Sequence, residues 1–329
     1  MSTRRYVISK VLQALLTLAF VLAFNFFLFR GIGDPVTQFL KQIRGNATPA
    51  QIKQVEEQLG LNLPLFRQFF HYVGQTLQGH LGISYFYNEP VSSVIASRIW
   101  PTVLLIGTST VASIALGLWL GIAQGWRRGS KFDQAALGTS LFLYAMPEFW
   151  FGLLMIMAFS TGVGIFPSIF PSGQMTTQSA DLTGMAHVAD VLNHMALPFF
   201  VLVVSYLAEY SLIMRSSLLD TLGDDFILTA RSKGLREKDV LYRHAVPNAL
   251  LPTMTVTILS LGFVISGAIT IELIFSWPGL GLLTYTAIQN GPDFPVLEGL
   301  FLLFSASVIV ANLVADLMYS YLDPRVRAA

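Results

Sequence analysis

Residues able to do chemistry fall into two groups in this sequence. Glu148, Tyr206, Glu209 and Asn312 stand inside long apolar runs. Polar groups there are costly in a bilayer unless they face protein or water, so these four are candidates for lining a polar path through a membrane. The second group is basic: Arg231, Lys233, Arg236, Lys238 and Arg243 lie within residues 224–252, the most polar long segment of the chain. Neither group has the pattern of a catalytic site. There is no cysteine, which removes disulfides, thiol chemistry and thiolate-bound metals. His187 and His194 are seven residues apart and can share a helix face, but no H-E-x-x-H motif accompanies them, so they are expected at the surface. No G-x-x-x-x-G-K-[ST] phosphate loop occurs. The expectation is a chain with no catalytic residue, no metal site and no bound cofactor.

Two rival chemistries have partial signals in the sequence. Gly107-Thr108-Ser109-Thr110 is similar to the serine motif of rhomboid-like intramembrane proteases, yet no histidine falls within a later span to act as base. A secondary transporter would carry internal repeats or charged pairs in its spans. Glu148, Glu209 and Asp316 are its candidates, and no repeat is visible.

The composition says what must position these residues. Of 329 residues, 53% are hydrophobic and 12% charged, against roughly 25% charged in soluble domains, and the mean hydropathy is +0.61. This is an all-α polytopic membrane protein. A net charge of +1 lacks the concentrated basic field of a nucleic-acid binder.

Six spans are expected. The first is the uncharged run 11–29, behind the basic residues Arg4, Arg5 and Lys10; it is too long for a signal-peptide core and is retained. Residues 30–99 form an extracytoplasmic insert. In it Thr48-Pro49-Ala50-Gln51 opens a short helix that stops at Gly60, and Asn46-Ala47-Thr48 matches a glycosylation sequon by chance. Leu65, Phe66, Phe69, Phe70, Val73 and Leu77 make one apolar helical face that lies on the membrane or on the bundle. The second span covers 102–124, with Gly117, Gly121 and Gly125 on one packing face. The third covers 135–159 and is kinked at Pro147-Glu148. A loop is expected up to His194, then spans at 196–214, 252–274 and 299–319. The chain therefore divides into 1–29, the insert 30–99 and a core 100–329 that includes the loop 215–251.

Charge sets the orientation. Fourteen of the 20 Lys and Arg lie in the N-terminus, the 127–131 loop, the 215–243 segment and the tail after Asp323. Six spans with both termini in the cytoplasm satisfy the inside bias of positive charge. In the polar loop, Asp224 or Asp225 can cap a first helix, Gly234 supplies a left-handed stop, and Pro247 and Pro252 limit a second helix.

Ala230-Arg231-Ser232-Lys233-Gly234-Leu235, Arg243-His244-Ala245 and Asn248-Ala249-Leu250-Leu251-Pro252 resemble the signature loop of permease subunits of ABC importers, in the dipeptide/oligopeptide/nickel group. Further motifs follow in that family's order: Gly33-Asp34-Pro35, Leu59-Gly60-Leu61, Leu81-Gly82-Ile83-Ser84, Pro147 with Phe149-Trp150, Glu272 with the run 275–281, Asp293-Phe294-Pro295 and Leu322-Asp323-Pro324-Arg325. Leu228 stands where importers in general place glutamate, His80 where the family usually has aspartate, and Pro247 where it often has arginine. The resemblance implies a type I permease fold in the bacterial inner membrane. It also implies a homologous second permease, two P-loop ATPases (or one fused ATPase) that bind ATP and Mg, and an extracytoplasmic binding protein. Ala230, Arg231, Ser232, Lys233, Gly234, Leu235, Arg243 and His244 would then form the coupling element on the ATPase. The family's cargoes are dipeptides, longer peptides, nickel chelates and glutathione, with peptides favoured here.

Overall fold

The computed structural model describes residues 3–33, 36–37, 40, 48–162, 167–178, 182–289 and 292–322. Asp34-Pro35, Asn46-Ala47 and the terminal Asp323-Pro324-Arg325, all singled out above, lie outside the described residues. Among the described residues the only strand-like feature is an isolated antiparallel bridge between Ile83 and Pro90. Everything else regular is helix, as expected when a bilayer requires each backbone donor and acceptor to be satisfied within its own segment.

Among the described residues, five helices are long and apolar enough to cross a membrane: Arg4–Gly31, Val91–Trp126, Gly184–Leu222, Glu237–Ile274 and Phe294–Met318. A sixth crossing exists if Lys131–Ala145 and Glu148–Phe159, bent by 99° at Met146-Pro147, count as one span. The residue before a proline is driven out of the helical region, and Met146 is indeed extended, at ψ 126°. The break at Pro147-Glu148 is thus a full change of direction.

Contacts group the chain into two compact units. The first comprises Met1–Thr102, Ile265–Ile269 and Pro278–Ala329, and the second Val103–Val264 and Thr270–Trp277. In the first, α1 (Thr3–Gly31) packs along a long C-terminal helix, Phe294–Leu322. The insert contributes α2 (Pro49–Leu59), closed by Gly60 at φ +62°, and α3 (Leu65–Leu77). Val91, Val94 and Ile95 of α4 (Val91–Thr102) form a buried cluster with Leu280, Leu283, Ala287, Val296 and Leu300.

The second unit is built on one helix pair, α5 (Thr108–Trp126) against α8 (Gly184–Leu222). Lipid tails are as apolar as leucine, so helices in a membrane associate through close packing and polar contacts. The glycine face provides the first. A Cβ on Gly117 would lie 2.8 Å from the Leu207 carbonyl oxygen, and one on Gly121 would lie 2.6 Å from that of Ser211. Polar contacts add to it, with Gln124 Nε2 donating to Ser211 Oγ at 3.0 Å and Ser113 Oγ to Val203 O at 3.4 Å. The serine of the protease-like motif, Ser109, donates to Leu105 O at 2.7 Å and is buried.

Three expectations are corrected. The span expected at 102–124 belongs to one helical run from Val91 to Trp126, passing Pro101 and a wide π turn at Val103–Gly107. The loop expected up to His194 is already helix from Gly184, and this buries His194, whose Nδ1 lies 2.9 Å from Asp190 O. His187 is exposed, as expected. The span expected at 252–274 is interrupted by a 3-10 turn at Val264–Ser266 and by Gly267 at φ +71°.

Candidate functional site

The 215–252 segment leaves α8 at Gly223 and enters α9 (Asp225–Ser232). Asp224 occupies the cap position in extended conformation, but its side chain makes no capping bond. The stop at the other end is as the glycine predicts. Gly234 takes φ +72°, Gly234 N–H donates to Arg231 O at 2.9 Å, and Leu235 N–H donates to Ala230 O at 3.4 Å. These paired bonds are the Schellman arrangement, which a left-handed glycine closes without steric cost.

Pro247 and Pro252 do not limit the second helix. After α10 (Glu237–Asp239) and a wide turn at Val240–Ala245, α11 runs Val246–Phe263 through both prolines. Pro247 falls in the first turn of α11, where a missing N–H leaves little unsatisfied. The second half of the loop is therefore a continuous extension of the next span.

The loop has two faces. Inward, Ile227, Ala230, Val240, Leu241, Ala245, Val246 and Ala249 are buried against Met214 and Leu218 of α8, with Leu118, Ile122 and Trp126 packed alongside. Outward, Phe226, Leu228, Leu235 and Tyr242 are exposed among the exposed Arg231, Ser232, Lys233, Arg236 and Arg243, with His244 half-buried. Arg231 reaches Glu237 with two bonds, Nε to Oε1 at 3.2 Å and Nη2 to Oε2 at 3.3 Å, linking α9 to α10. Asp239 pairs with both Arg236 and Arg243. Exposed pairs like these contribute about 1 kcal/mol or less, so the apolar inner face fixes the loop and the outer face remains a basic, apolar-studded surface.

A buried ion pair braces the base of this element. Asp133 accepts from Arg215 Nε at 2.7 Å and Nη2 at 3.0 Å, and from Gly129 N–H at 2.9 Å, while Ser130 Oγ caps Asp133 N–H. Asp133 is 2% exposed. The pair ties the basic 127–131 loop to the last turns of α8. Sequence reasoning missed it, although Ser130-Lys131-Phe132-Asp133 fits a capping signature.

The four path candidates separate. Glu148 begins α7 (Glu148–Phe159) and its Oε1 accepts from Thr270 Oγ1 at 2.9 Å. The Tyr206 hydroxyl has Glu148 as hydrogen-bond partner and Glu209 and Tyr210 as neighbours. These three candidates thus form one cluster inside the second unit. Asn312 lies in the first unit, on the helix Phe294–Leu322, and its amide donates to Val308 O one turn back.

Two sequence motifs 209 residues apart form a single arrangement. The buried Asp293 accepts from Ser84 Oγ at 2.6 Å, Tyr85 N–H at 3.2 Å and Phe86 N–H at 3.0 Å. Ser84 Oγ in turn accepts from Tyr87 N–H at 2.9 Å. One carboxylate thereby satisfies the backbone of a turn distant in sequence, a pairing that no local pattern announces.

Residues 113–328 match the family described as binding-protein-dependent transport system inner membrane component, and residues 3–106 match its N-terminal companion family. The oligopeptide transport system permease protein AppB of Bacillus subtilis is 34% identical over 324 residues, covering 98% of both chains. The dipeptide transport system permease protein DppB of Escherichia coli is 37% identical over 311 residues, covering 90% of each. A chain of the MetNI methionine ABC transporter in an inward-facing crystal structure superposes with a TM-score of 0.54 over 70% of this chain and 96% of its own, at 15% identity. That last likeness concerns the fold alone. With both family matches and relatives of this identity along nearly its whole length, the chain belongs to the inner membrane components of binding-protein-dependent transport systems, the permease subunits of ABC importers.

Proposed function

We propose that this chain carries short peptides across the bacterial inner membrane as one half of a permease pair, driven by ATP hydrolysis on separate subunits. It spans the bilayer six times with both termini in the cytoplasm, and the bent pair Lys131–Ala145 and Glu148–Phe159 forms one crossing. The observation that carries the reading is the two-faced loop. Its inner side is locked to α8 by Ile227, Ala230 and Val240, and its outer side offers Arg231, Lys233, Gly234, Leu235 and Arg243 to a partner. Such an element moves as a rigid extension of two spans and transmits displacement at the ATPase to the membrane. Its basic groups suit an acidic-rimmed groove on the partner, where complementary charge favours correct docking.

A binding protein delivers the peptide on the outer side. The path it enters includes the Glu148–Tyr206–Glu209 cluster, where membrane-buried carboxylates mark a polar route. Asn312, on the helix Phe294–Leu322 of the first unit, is a separate candidate for facing a polar path.

The test is purification of the tagged chain from its native membrane in mild detergent, followed by mass spectrometry and reconstituted uptake. Two P-loop ATPases, or one fused pair, a second permease and ATP-dependent uptake that dipeptides compete for are the expected result. Uptake competed only by glutathione or a nickel chelate moves the cargo within the family. Uptake insensitive to ATP depletion overturns the reading in favour of a secondary transporter.

A further inference from the structure

We infer that α3 (Leu65–Leu77) is an interfacial helix whose outer face is seated in the lipid bilayer, independently of what the chain transports. Helical spacing divides α3 into three arcs. Phe69 and Tyr72 form the first and face α1. The Phe69 ring lies 5.5 Å from that of Phe26 and 6.2 Å from that of Phe27, and the Tyr72 hydroxyl accepts from Asn25 Nδ2 at 3.0 Å. Arg67, His71, Gln75 and Gln78 form the second, polar arc. Phe66, Phe70 and Leu77 form the third, on one face at i, i+4 and i+11, and they are 72%, 57% and 73% exposed.

Depth identifies what covers that third arc. The uncharged stretch of α1 lies between Lys10 and Arg30 and is about 28 Å long, the thickness of a hydrocarbon core. Both α1-facing residues of α3 meet the single turn Asn25–Phe27, roughly 5 Å inside Arg30. The Arg30 guanidinium folds over Phe26, 5.4 Å from its centroid, as a cation does at the edge of the core. Amphipathic helices bury their apolar faces about 5–10 Å into the boundary between headgroups and acyl chains, and α3 is held at that level. Its exposed arc also continues the exposed apolar surface of α1, Leu16, Phe20, Phe24 and Phe27, with the Phe27 and Phe69 rings stacked at 11°. Acyl chains covering α1 extend without interruption onto Phe66 and Phe70.

The chain lacks cysteine, so a nitroxide placed on a single introduced cysteine reports one position. Phe66→Cys, Phe70→Cys and Leu77→Cys are compared with Arg67→Cys and Gln78→Cys. Each is reconstituted, with whatever subunits travel with it, into phosphatidylethanolamine–phosphatidylglycerol vesicles. Collisional broadening by oxygen, which partitions into lipid, is measured against that by a water-soluble nickel chelate. Oxygen dominates at 66, 70 and 77, and the nickel chelate dominates at 67 and 78, if the inference holds. Nickel-chelate dominance at 66, 70 and 77 places the face in water and overturns it. Low access to both reagents at those positions places it against protein and overturns it equally. If that protection appears only when the binding protein is added, the occupant is that protein.

Discussion

Replacement of Gly234 separates a conformational requirement from a steric one. The residue sits at φ +72° with open space where a Cβ would project, so within this chain a side chain meets no obstacle and only the backbone is penalised. A left-handed L-residue costs about 1–2 kcal/mol, asparagine less and a β-branched residue more. The rest of the loop resists that penalty unevenly. Ile227, 1% exposed, contributes about 1.5–3 kcal/mol by burial, which keeps α9 docked, whereas the exposed Arg231–Glu237 pair contributes about 1 kcal/mol or less. The turn after α9 therefore yields first, and 1–2 kcal/mol lowers its ratio of native to opened forms by a factor of about 5 to 30. Gly234→Asn, Gly234→Ala and Gly234→Val are expected to reach the membrane at normal levels, read by immunoblot. ATP-dependent peptide uptake should fall in the order Gly, Asn, Ala, Val. Wild-type uptake by the valine variant refutes the coupling role of the turn. Asparagine as inactive as valine refutes the backbone argument, because side-chain volume against a partner would then be the constraint.

Gly121→Ala places a Cβ 2.6 Å from the Ser211 carbonyl oxygen and 2.7 Å from Met214 Cβ, an overpacking that costs about 1–3 kcal/mol; the detergent-solubilised chain should melt at a lower temperature, and an unchanged Tm contradicts the packing. Asp133→Ala strands Arg215 beside a dry carboxylate site and should destabilise by about 3 kcal/mol, the lower end for a broken buried pair, because Arg215 is partly solvated. Asp133→Ala with Arg215→Met should recover much of that loss, and a double variant no better than the single one rules out charge burial as the cause. Asp293→Ala removes the acceptor of the Ser84 hydroxyl and of the Tyr85 and Phe86 N–H groups, at about 1–3 kcal/mol for each buried donor left unsatisfied. Chymotrypsin should then cut at Phe86 or Tyr87 faster than in the parent chain, and equal rates remove the carboxylate from its role in holding the turn.

Local patterns were dependable where one segment settles its own energetics. The apolar runs announced spans because a bilayer leaves a helix as the only way to satisfy the backbone. Gly60 and Gly234 announced left-handed stops, and both adopt positive φ. Gly117, Gly121 and Gly125 announced a face for close approach, which α8 occupies. Prolines misled: Pro247 and Pro252 read as boundaries, but α11 passes through them. Pro147 broke its helix by 99°, and one residue type thus gave opposite outcomes according to what surrounded it.

The chain's own residue order determined that it lies in a membrane as a set of apolar helices and that a basic loop separates two of them, because hydrophobic transfer and backbone satisfaction are summed segment by segment. Only the tertiary structure decided which polar groups meet. Asp293 closes on Ser84 across 209 residues, Asp133 on Arg215 across 82, and Tyr206 stands beside Glu148 while Asn312 lies in the other unit. A buried carboxylate takes whichever donors packing brings within about 3 Å, and that choice belongs to the fold as a whole.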